Sequence, residues 1–356
     1  MKKLKVLLSL LLVFLLLVGC TQDSTPAEDT TDADTTQTDT TDDTASDSET
    51  EVVLRRAYSA PHGTRSFARV AVVMNGDVIV AANIEEFQYG GVDAENEFLP
   101  NSDLGFGEGS VDAKLYSKRV NDDLYSQNMA ERGEATMKLV EGYKAIEDYA
   151  KGKTVADLEA LLADSTAGEL IDDISSSTLV DTYGYVQAII DAAKNTDMES
   201  KGVAKGNVED IQIGFIQHAA HGERAVADTV VAVLDGVIVA ANIDEFQYMG
   251  ADGNTGVPNS DDAFGENYAE GGVLASKRVN NETYSGNMAE RGEATMQLVE
   301  GYRAIEDHTV GMTAQEVKDL VSANTAGELV DDISSSTLVD TVGYLESIAL
   351  AAENLQ

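Results

Sequence analysis

The sequence predicts an α+β fold, an antiparallel sheet with helices, made twice in tandem. Three observations carry that prediction. The second half repeats the first: "VIVAANIEEFQY" from Val78 returns as "VIVAANIDEFQY" from Val237, and "SKRVNDDLYSQNMAERGEATMKLVEGYKAIED" from Ser117 returns as "SKRVNNETYSGNMAERGEATMQLVEGYRAIED" from Ser276. Each copy opens on β-branched apolar runs split by turn residues. Each then changes to apolar residues recurring at three and four, and strands followed by helices mark the α+β class. At about 140 residues, a copy is large enough to bury its own core. The copies are placed at residues 51–200 and 208–356.

Taken in order, the chain of 356 residues starts with Lys2, Lys3 and Lys5, an apolar run from Val6, and small Gly19 before Cys20, its only cysteine. That is the pattern of a secretory signal peptide, residues 1–20, and its apolar run of roughly 14 residues is short for a membrane span. "LVGC", residues 17–20, resembles the lipobox of bacterial lipoproteins, in which the peptide is cleaved before the cysteine and the cysteine is acylated. The resemblance implies lipidation at Cys20 and a lipid anchor on the extracytoplasmic face of a Gram-positive-type membrane. With one cysteine, a disulfide framework and a cysteine-bound cluster are excluded. Residues 21–50 are almost wholly Thr, Asp, Ser and Ala, with nothing large and apolar, and are expected to be a disordered, self-repelling tether.

Inside copy one, "FARVAVVMNGDVIVAANIEEF" reads as a β-hairpin broken at Asn75-Gly76, with Asp235-Gly236 as its displaced counterpart. A looser Gly- and Asp-rich stretch follows and carries "PNSD" in both copies, from Pro100 and from Pro258. Met129, Thr136, Leu139, Val140, Tyr143, Ile146 and Tyr149 then predict one helix ended by Gly152. Thr154 with Asp157 predicts a capping box that opens a second helix, "VADLEALLA". Residues 183–193 predict a last helix through Val186, Ile189 and Ile190.

Between the last two helices lies "DDISSSTLVDT", identical from Asp172 and from Asp331. A turn leading into a helix N-terminus, rich in hydroxyls, suits a phosphate; taken alone, the same Ser and Thr serve equally as N-caps and ST-turns. Charge narrows the function classes. With 63 acidic against 24 basic residues and a net charge of −39, the chain repels phosphate backbones and anionic membranes, which excludes nucleic acid as a natural partner and leaves the lipid as the main attachment. His62 and His221 stand at matching places in "PHG" and "AHG", but four histidines and no neighbouring cysteine do not make a transition-metal site. "DLGFGEG", residues 103–109, lacks the strand-loop-helix setting of a phosphate loop, and no nucleophile-base pair signals a hydrolase.

A hairpin, "SKR.N...YS.NM", a helix, "GKT" and a late D-I-S-S-S-T together resemble the FMN-binding domain of extracytoplasmic flavoproteins. With the lipobox, the acidic spacer and two copies ending "TLVDT.GY", nearly the whole chain resembles the PplA-like extracellular electron-transfer flavoproteins, lipoproteins with two FMN-binding domains. In that family a D-x-x-S/T-G-A-S/T pattern carries FMN through a phosphoester on its last Ser or Thr, installed by a flavin transferase. The resemblance implies covalent FMN on Thr178 and Thr337, with Asp172 or Asp173, Ser175 and Ser177, and Asp332, Ser334 and Ser336, completing the motifs. The family's Gly-Ala is Ser176-Ser177 and Ser335-Ser336 here, a more polar backbone near the acceptor. It further implies Lys118, Arg119 and Arg132, with Lys277, Arg278 and Arg291, as cations offsetting the phosphodiester, and Asn128, Met129 and Tyr125, with Asn287, Met288 and Tyr284, beside the flavin ring. The implied function is electron transfer, without turnover catalysis beyond a possible ferric reductase activity, from a membrane quinone and NADH dehydrogenase system to extracellular acceptors such as ferric iron. The contrasting expectation is a flavin-free surface binding or structural lipoprotein. In either case "LVFLLLVG", residues 12–19, resembles the peptide pheromones released from such signal peptides.

Overall fold

Each copy forms one antiparallel sheet whose first four strands pair in succession. The structure, a computed structural model, describes residues 49–133, 135–174, 177–292, 294–333 and 336–356. The expected signal peptide, the lipobox with Cys20, and residues Ser175, Ser176, Ser334 and Ser335 lie outside the described residues. In copy one, strands β1 (Glu49–Ser59), β2 (Ser66–Asn75), β3 (Val78–Gly91), β4 (Ala113–Ser117) and β5 (Glu199–Lys205) run in the order β4-β3-β2-β1-β5. In copy two, β6 (Gln212–His218), β7 (Ala225–Leu234), β8 (Val237–Gly250) and β9 (Gly272–Ser276) run in the order β6-β7-β8-β9. The helices are α1 (Asp122–Gly133), α2 (Leu139–Ala150), α3 (Val155–Ala163) and α4 (Thr182–Lys194), then α5 (Asn281–Gly292), α6 (Leu298–Thr309), α7 (Ala314–Ala323) and α8 (Thr341–Glu353). The α+β class stands.

The burial of β2 explains the layering. All its residues except Asn75 are buried, because one face meets helices and the other meets the second sheet. Ala68, Val70, Val72 and Met74 pack with Tyr143, Ile146, Leu158 and Ile189 of α2, α3 and α4. Ala71 and Val73 point the other way, against Val230, Ala232 and Leu234 of β7. Copy two repeats the arrangement, with Ala227, Val231 and Val233 on Tyr302, Ile305, Leu345 and Ile348. Each copy therefore has its own sheet-on-helix core, and the two sheets bury a third apolar layer between them. Phe67, Phe87, Phe106, Phe246 and Phe264 close one end of that layer. Both copies lie within one compact unit, Ala45–Gln356.

Three local expectations are corrected. The hairpin turns occupy Gly76-Asp77 and Asp235-Gly236, matching positions with no displacement, because Asn75 pairs with Val78 and Leu234 with Val237. The turns differ in type instead: Gly76 alone has positive φ (61°), the type II′ pattern, whereas Asp235 (51°) and Gly236 (80°) give the type I′ pattern. The single helix expected through Met129 and Tyr149 is two. Side chains of α1 cap α2: Ser126 Oγ accepts the Leu139 N–H at 2.9 Å and Asp122 Oδ1 the Val140 N–H at 3.1 Å. Glu141 accepts the Lys138 N–H at 3.2 Å, so the N–H groups of Lys138, Leu139 and Val140 all have acceptors at a fresh helix start where the periodicity runs straight on. The tether is also shorter than expected at its end, since Glu49 and Thr50 pair with Lys205 and Ala204 in β1 and β5.

The other elements follow the sequence. Gly152, at φ 79°, stops α2, and Thr154 with Asp157 forms the capping box of α3 through bonds of 3.2 and 2.9 Å. The last helix of copy one spans Thr182–Lys194. Among the described residues no helix is long and apolar enough to cross a membrane.

Candidate functional site

The repeated segment opens on a short 3₁₀ turn, Asp172–Ile174, and from Ser177 onward it bends into α4. The bend is closed from inside. Buried Ser177 accepts the Leu179 N–H at 3.4 Å, and the Thr182 hydroxyl donates to the Leu179 carbonyl at 2.5 Å. In copy two Ser336 accepts the Leu338 N–H at 3.3 Å and Thr341 donates to the Leu338 carbonyl at 2.5 Å. The ST-turn role therefore belongs to Ser177 and Ser336, while Thr178 and Thr337 are exposed.

Each exposed threonine stands on the wall of a cleft. In copy one the cleft measures about 380 Å³ and is lined by Thr178, Met129, Leu139, Tyr125, Tyr185 and His62. In copy two it measures about 800 Å³ and is lined by the counterparts Thr337, Met288, Leu298, Tyr284, Tyr344 and His221, with Asn287 and Arg291 in addition. Both volumes lie in the range of small-molecule sites, roughly 300–1,000 Å³. Gly184 and Gly343 bring the threonine-bearing segment close to the histidine loop. A Cβ on Gly184 would lie 2.4 Å from the Pro61 carbonyl oxygen, and one on Gly343 2.2 Å from that of Ala220.

Beneath each cleft lies a buried polar network centred on a strand carboxylate. Glu86 of β3 accepts from Lys118 at 2.8 Å, from the Tyr143 hydroxyl at 2.5 Å and from the Tyr185 hydroxyl at 2.9 Å. Glu245 of β8 accepts from Lys277 at 2.7 Å and from Tyr302 and Tyr344 at 2.9 Å each. Burial by itself pushes the Glu86 carboxyl up; Lys118 and His62 outweigh burial and hold it below the ordinary carboxylate range. Against the same opposing burial, Lys277 and His221 bring Glu245 to about 2. Burial raises the hydroxyls of Tyr143, Tyr185, Tyr302 and Tyr344, which stay protonated and act as donors.

The histidines link this floor to the rim. Lys118 Nζ lies 3.2 Å from His62 Nδ1, and Lys277 Nζ 3.0 Å from His221 Nδ1. Nδ1 is thus turned inward to the ammonium, and the other ring nitrogen, Nε2, is left toward the rim. That nitrogen faces Asp181 at 3.8 Å in copy one and Asp340 at 3.5 Å in copy two, three residues beyond each threonine.

The structure gathers some of the expected residues and separates others. Thr178, Met129 and Tyr125, and Thr337, Met288, Asn287, Tyr284 and Arg291, share the clefts. Lys118 and Lys277 lie beneath, each already paired with a carboxylate and set against Tyr125 or Tyr284 at 4.8 and 4.7 Å from the ring centre. Arg119 and Arg278 are bound to the Ile84 and Ile243 carbonyls and to Glu147 and Glu306, and so tie α2 and α6 to their sheets. Asn128 turns back to the Leu124 carbonyl at 2.9 Å, and Arg132 is exposed on the last turn of α1. Asp173 lines a different, acidic hollow with Asp157, Asp164 and Glu169, and Asp332 is exposed. The sequence reading missed Glu86 and Glu245, whose signal was a pair of adjacent acidic residues, Glu85-Glu86 and Asp244-Glu245, at the same point of a mainly apolar repeated strand. It set aside His62 and His221, which line the clefts. No protein-family model, no curated protein and no solved structure matches the chain.

Proposed function

We propose that the chain is a cell-surface electron carrier holding FMN in each of its two FMN-binding-type domains, joined by a phosphoester to Thr178 and Thr337. One observation carries the reading. In both copies, the threonine that the repeated segment leaves exposed opens on a ligand-sized cleft walled by Met, Leu and Tyr side chains. The residues fit the group: Met129 and Met288 offer soft apolar surface, Tyr125 and Tyr284 offer aromatic faces, and the threonine hydroxyl offers the attachment oxygen. A flavin transferase would bring the flavin-bearing phosphoryl donor. Attachment forms one bond from threonine oxygen to phosphorus, releases the hydroxyl proton and breaks the donor's bond to its leaving group. When bound, FMN supplies the redox chemistry, and the chain holds it and sets its exposure. Lys118 and Lys277 are neutralised by Glu86 and Glu245, so the cation for the phosphodiester in copy two is Arg291, on the cleft wall. Electrons would come from a membrane quinone and NADH dehydrogenase system and leave to extracellular acceptors such as ferric iron, with the lipid on Cys20 as anchor.

A second reading rests on Ser177 and Ser336. Their bonds to the Leu179 and Leu338 amides satisfy the turn without any ligand, as expected of a flavin-free surface lipoprotein. Intact mass separates the two. Secreted protein co-expressed with a flavin transferase is expected to carry two FMN increments, one in Thr178→Ala, and none when Thr337→Ala is added. Unmodified, colourless protein under those conditions sinks the carrier reading.

A further inference from the structure

We infer that each cleft is completed by the opposite copy, with Asn259 positioning the histidine loop of copy one and Asn101 that of copy two. Both asparagines come from the repeated "PNSD" segments, and they act reciprocally. Asn101 Nδ2 donates to the Gly222 and Ala225 carbonyls at 2.8 and 2.9 Å. Asn259 Nδ2 donates to the Gly63 and Ser66 carbonyls at 2.8 and 2.7 Å. Beside them the Phe106 N–H donates to Glu223 O at 2.7 Å, and the Phe264 N–H to Thr64 O at 2.8 Å. The rings of Phe106 and Phe264 are buried in the aromatic layer between the sheets, which anchors both braces.

What the braces hold is the loop between the first two strands of each copy. That loop carries His62 in one case and His221 in the other. Ser66, whose carbonyl Asn259 binds, also places its hydroxyl 3.1 Å from the His62 carbonyl and 3.3 Å from Glu86. The spacing of His62 from Lys118, Glu86 and Asp181 is thus fixed by a side chain of copy two. Copy one also supplies wall to copy two. Gly105 and Glu108 line a hollow of about 480 Å³ together with Arg224, and that hollow shares His221, Gln247 and Tyr284 with the cleft of copy two.

Both asparagines have positive φ, 62° and 65°. Glycine accepts that backbone more readily than asparagine does, so the side-chain bonds are the reason for the amide residue. Asn259→Gly therefore removes the brace without straining the turn. The inference rests on the clefts being the functional sites, and its test needs no flavin. In the full chain, Asn259→Gly is expected to speed amide hydrogen exchange about tenfold in residues 62–66 and leave residues 220–225 unchanged, as follows from losing about one neutral hydrogen bond's net worth or more. Asn101→Gly is expected to do the reverse. Proton NMR of the imidazoles supplies the readout that a merely structural role does not move. The titration midpoint of His62 shifts only in Asn259→Gly and that of His221 only in Asn101→Gly. Unchanged exchange in the opposite loop, or both histidines moving together in either variant, overturns the inference. Failure of flavin attachment to the unaltered chain sinks the carrier reading and leaves this pattern standing.

Discussion

Lys277→Met should cost the chain about a quarter or more of an ordinary domain's stability. Lys277 and Glu245 are both fully buried and lie 2.7 Å apart. Glu245 titrates at about 2 against an ordinary 4.5, and at about 1.4 kcal/mol for each step of one in pH that depression is roughly 3–4 kcal/mol of stability at neutral pH. Removing one partner of a buried pair typically costs about 3–5 kcal/mol, a figure of the same order. Without Lys277 the largest opposing cause, burial, dominates and drives the carboxyl upward. The sign with pH follows. In the unaltered chain the folded value is depressed, so this stability is present above the unfolded value of about 4.5 and lost as pH falls toward about 2. In the variant the folded value is raised, so its carboxyl is penalised most at neutral pH and least when protonated.

Urea denaturation of both proteins at pH 7 and at pH 4 measures this directly. The gap between them is expected at about 3–5 kcal/mol at pH 7 and should narrow at pH 4. Adding Glu245→Gln to the variant is expected to recover part of the loss, because Tyr302 and Tyr344 can still donate to the amide oxygen. A gap under about 1 kcal/mol, or one indifferent to pH, would refute the account of the cleft floor.

Two further outcomes test the frame around the clefts. Asp228 is bonded to the buried guanidinium groups of both Arg56 and Arg69, at 3.2 Å each, so Asp228→Asn is expected to lower stability in urea by about 3–5 kcal/mol, whereas Asp103→Asn, at an exposed carboxylate, should change little. Gly343→Ala puts a methyl 2.2 Å from the Ala220 carbonyl oxygen, so the His221 loop must move. NMR should show the His221 resonance displaced and His62 unmoved; an undisturbed His221 would mean that the close approach has no part in shaping the cleft.

Much of this architecture is legible in the sequence because it is local. The capping box at Thr154, the stop at Gly152 and the last helix each depend on residues within a turn of one another. The helix break at Gly133 is not legible, because the groups that start α2 are Ser126 and Asp122, 13 and 18 residues before the amides they accept. The fates of Lys118 and Arg119 are hidden for the same reason. Their carboxylates, Glu86 and Glu147, lie 32 and 28 residues away, and among so many acidic residues nothing local marks which one each cation meets. Thr178 and Thr337 stand out in the sequence because the segment that carries them is identical in both copies, and the structure leaves both exposed.

The duplication also explains where the copies had to differ. Arg69 and Asp228 are equivalent residues, 159 apart in the chain, and they bond to each other at 3.2 Å. Tyr89 and Tyr248, again 159 apart, join through their hydroxyls at 2.5 Å. Equivalent residues meet only where two copies face each other about a local twofold axis. At such a place a side chain confronts its own copy. Two hydroxyls satisfy one another, since each both donates and accepts, so tyrosine is kept. Two buried guanidinium groups repel, so the fully buried Arg69 requires something else opposite, and Asp228 is what stands there. Away from the axis this constraint vanishes, and there the clefts, with their threonines, histidines and buried carboxylates, remain alike. The sequence difference at the axis and the sequence identity at the clefts are therefore two results of one geometry.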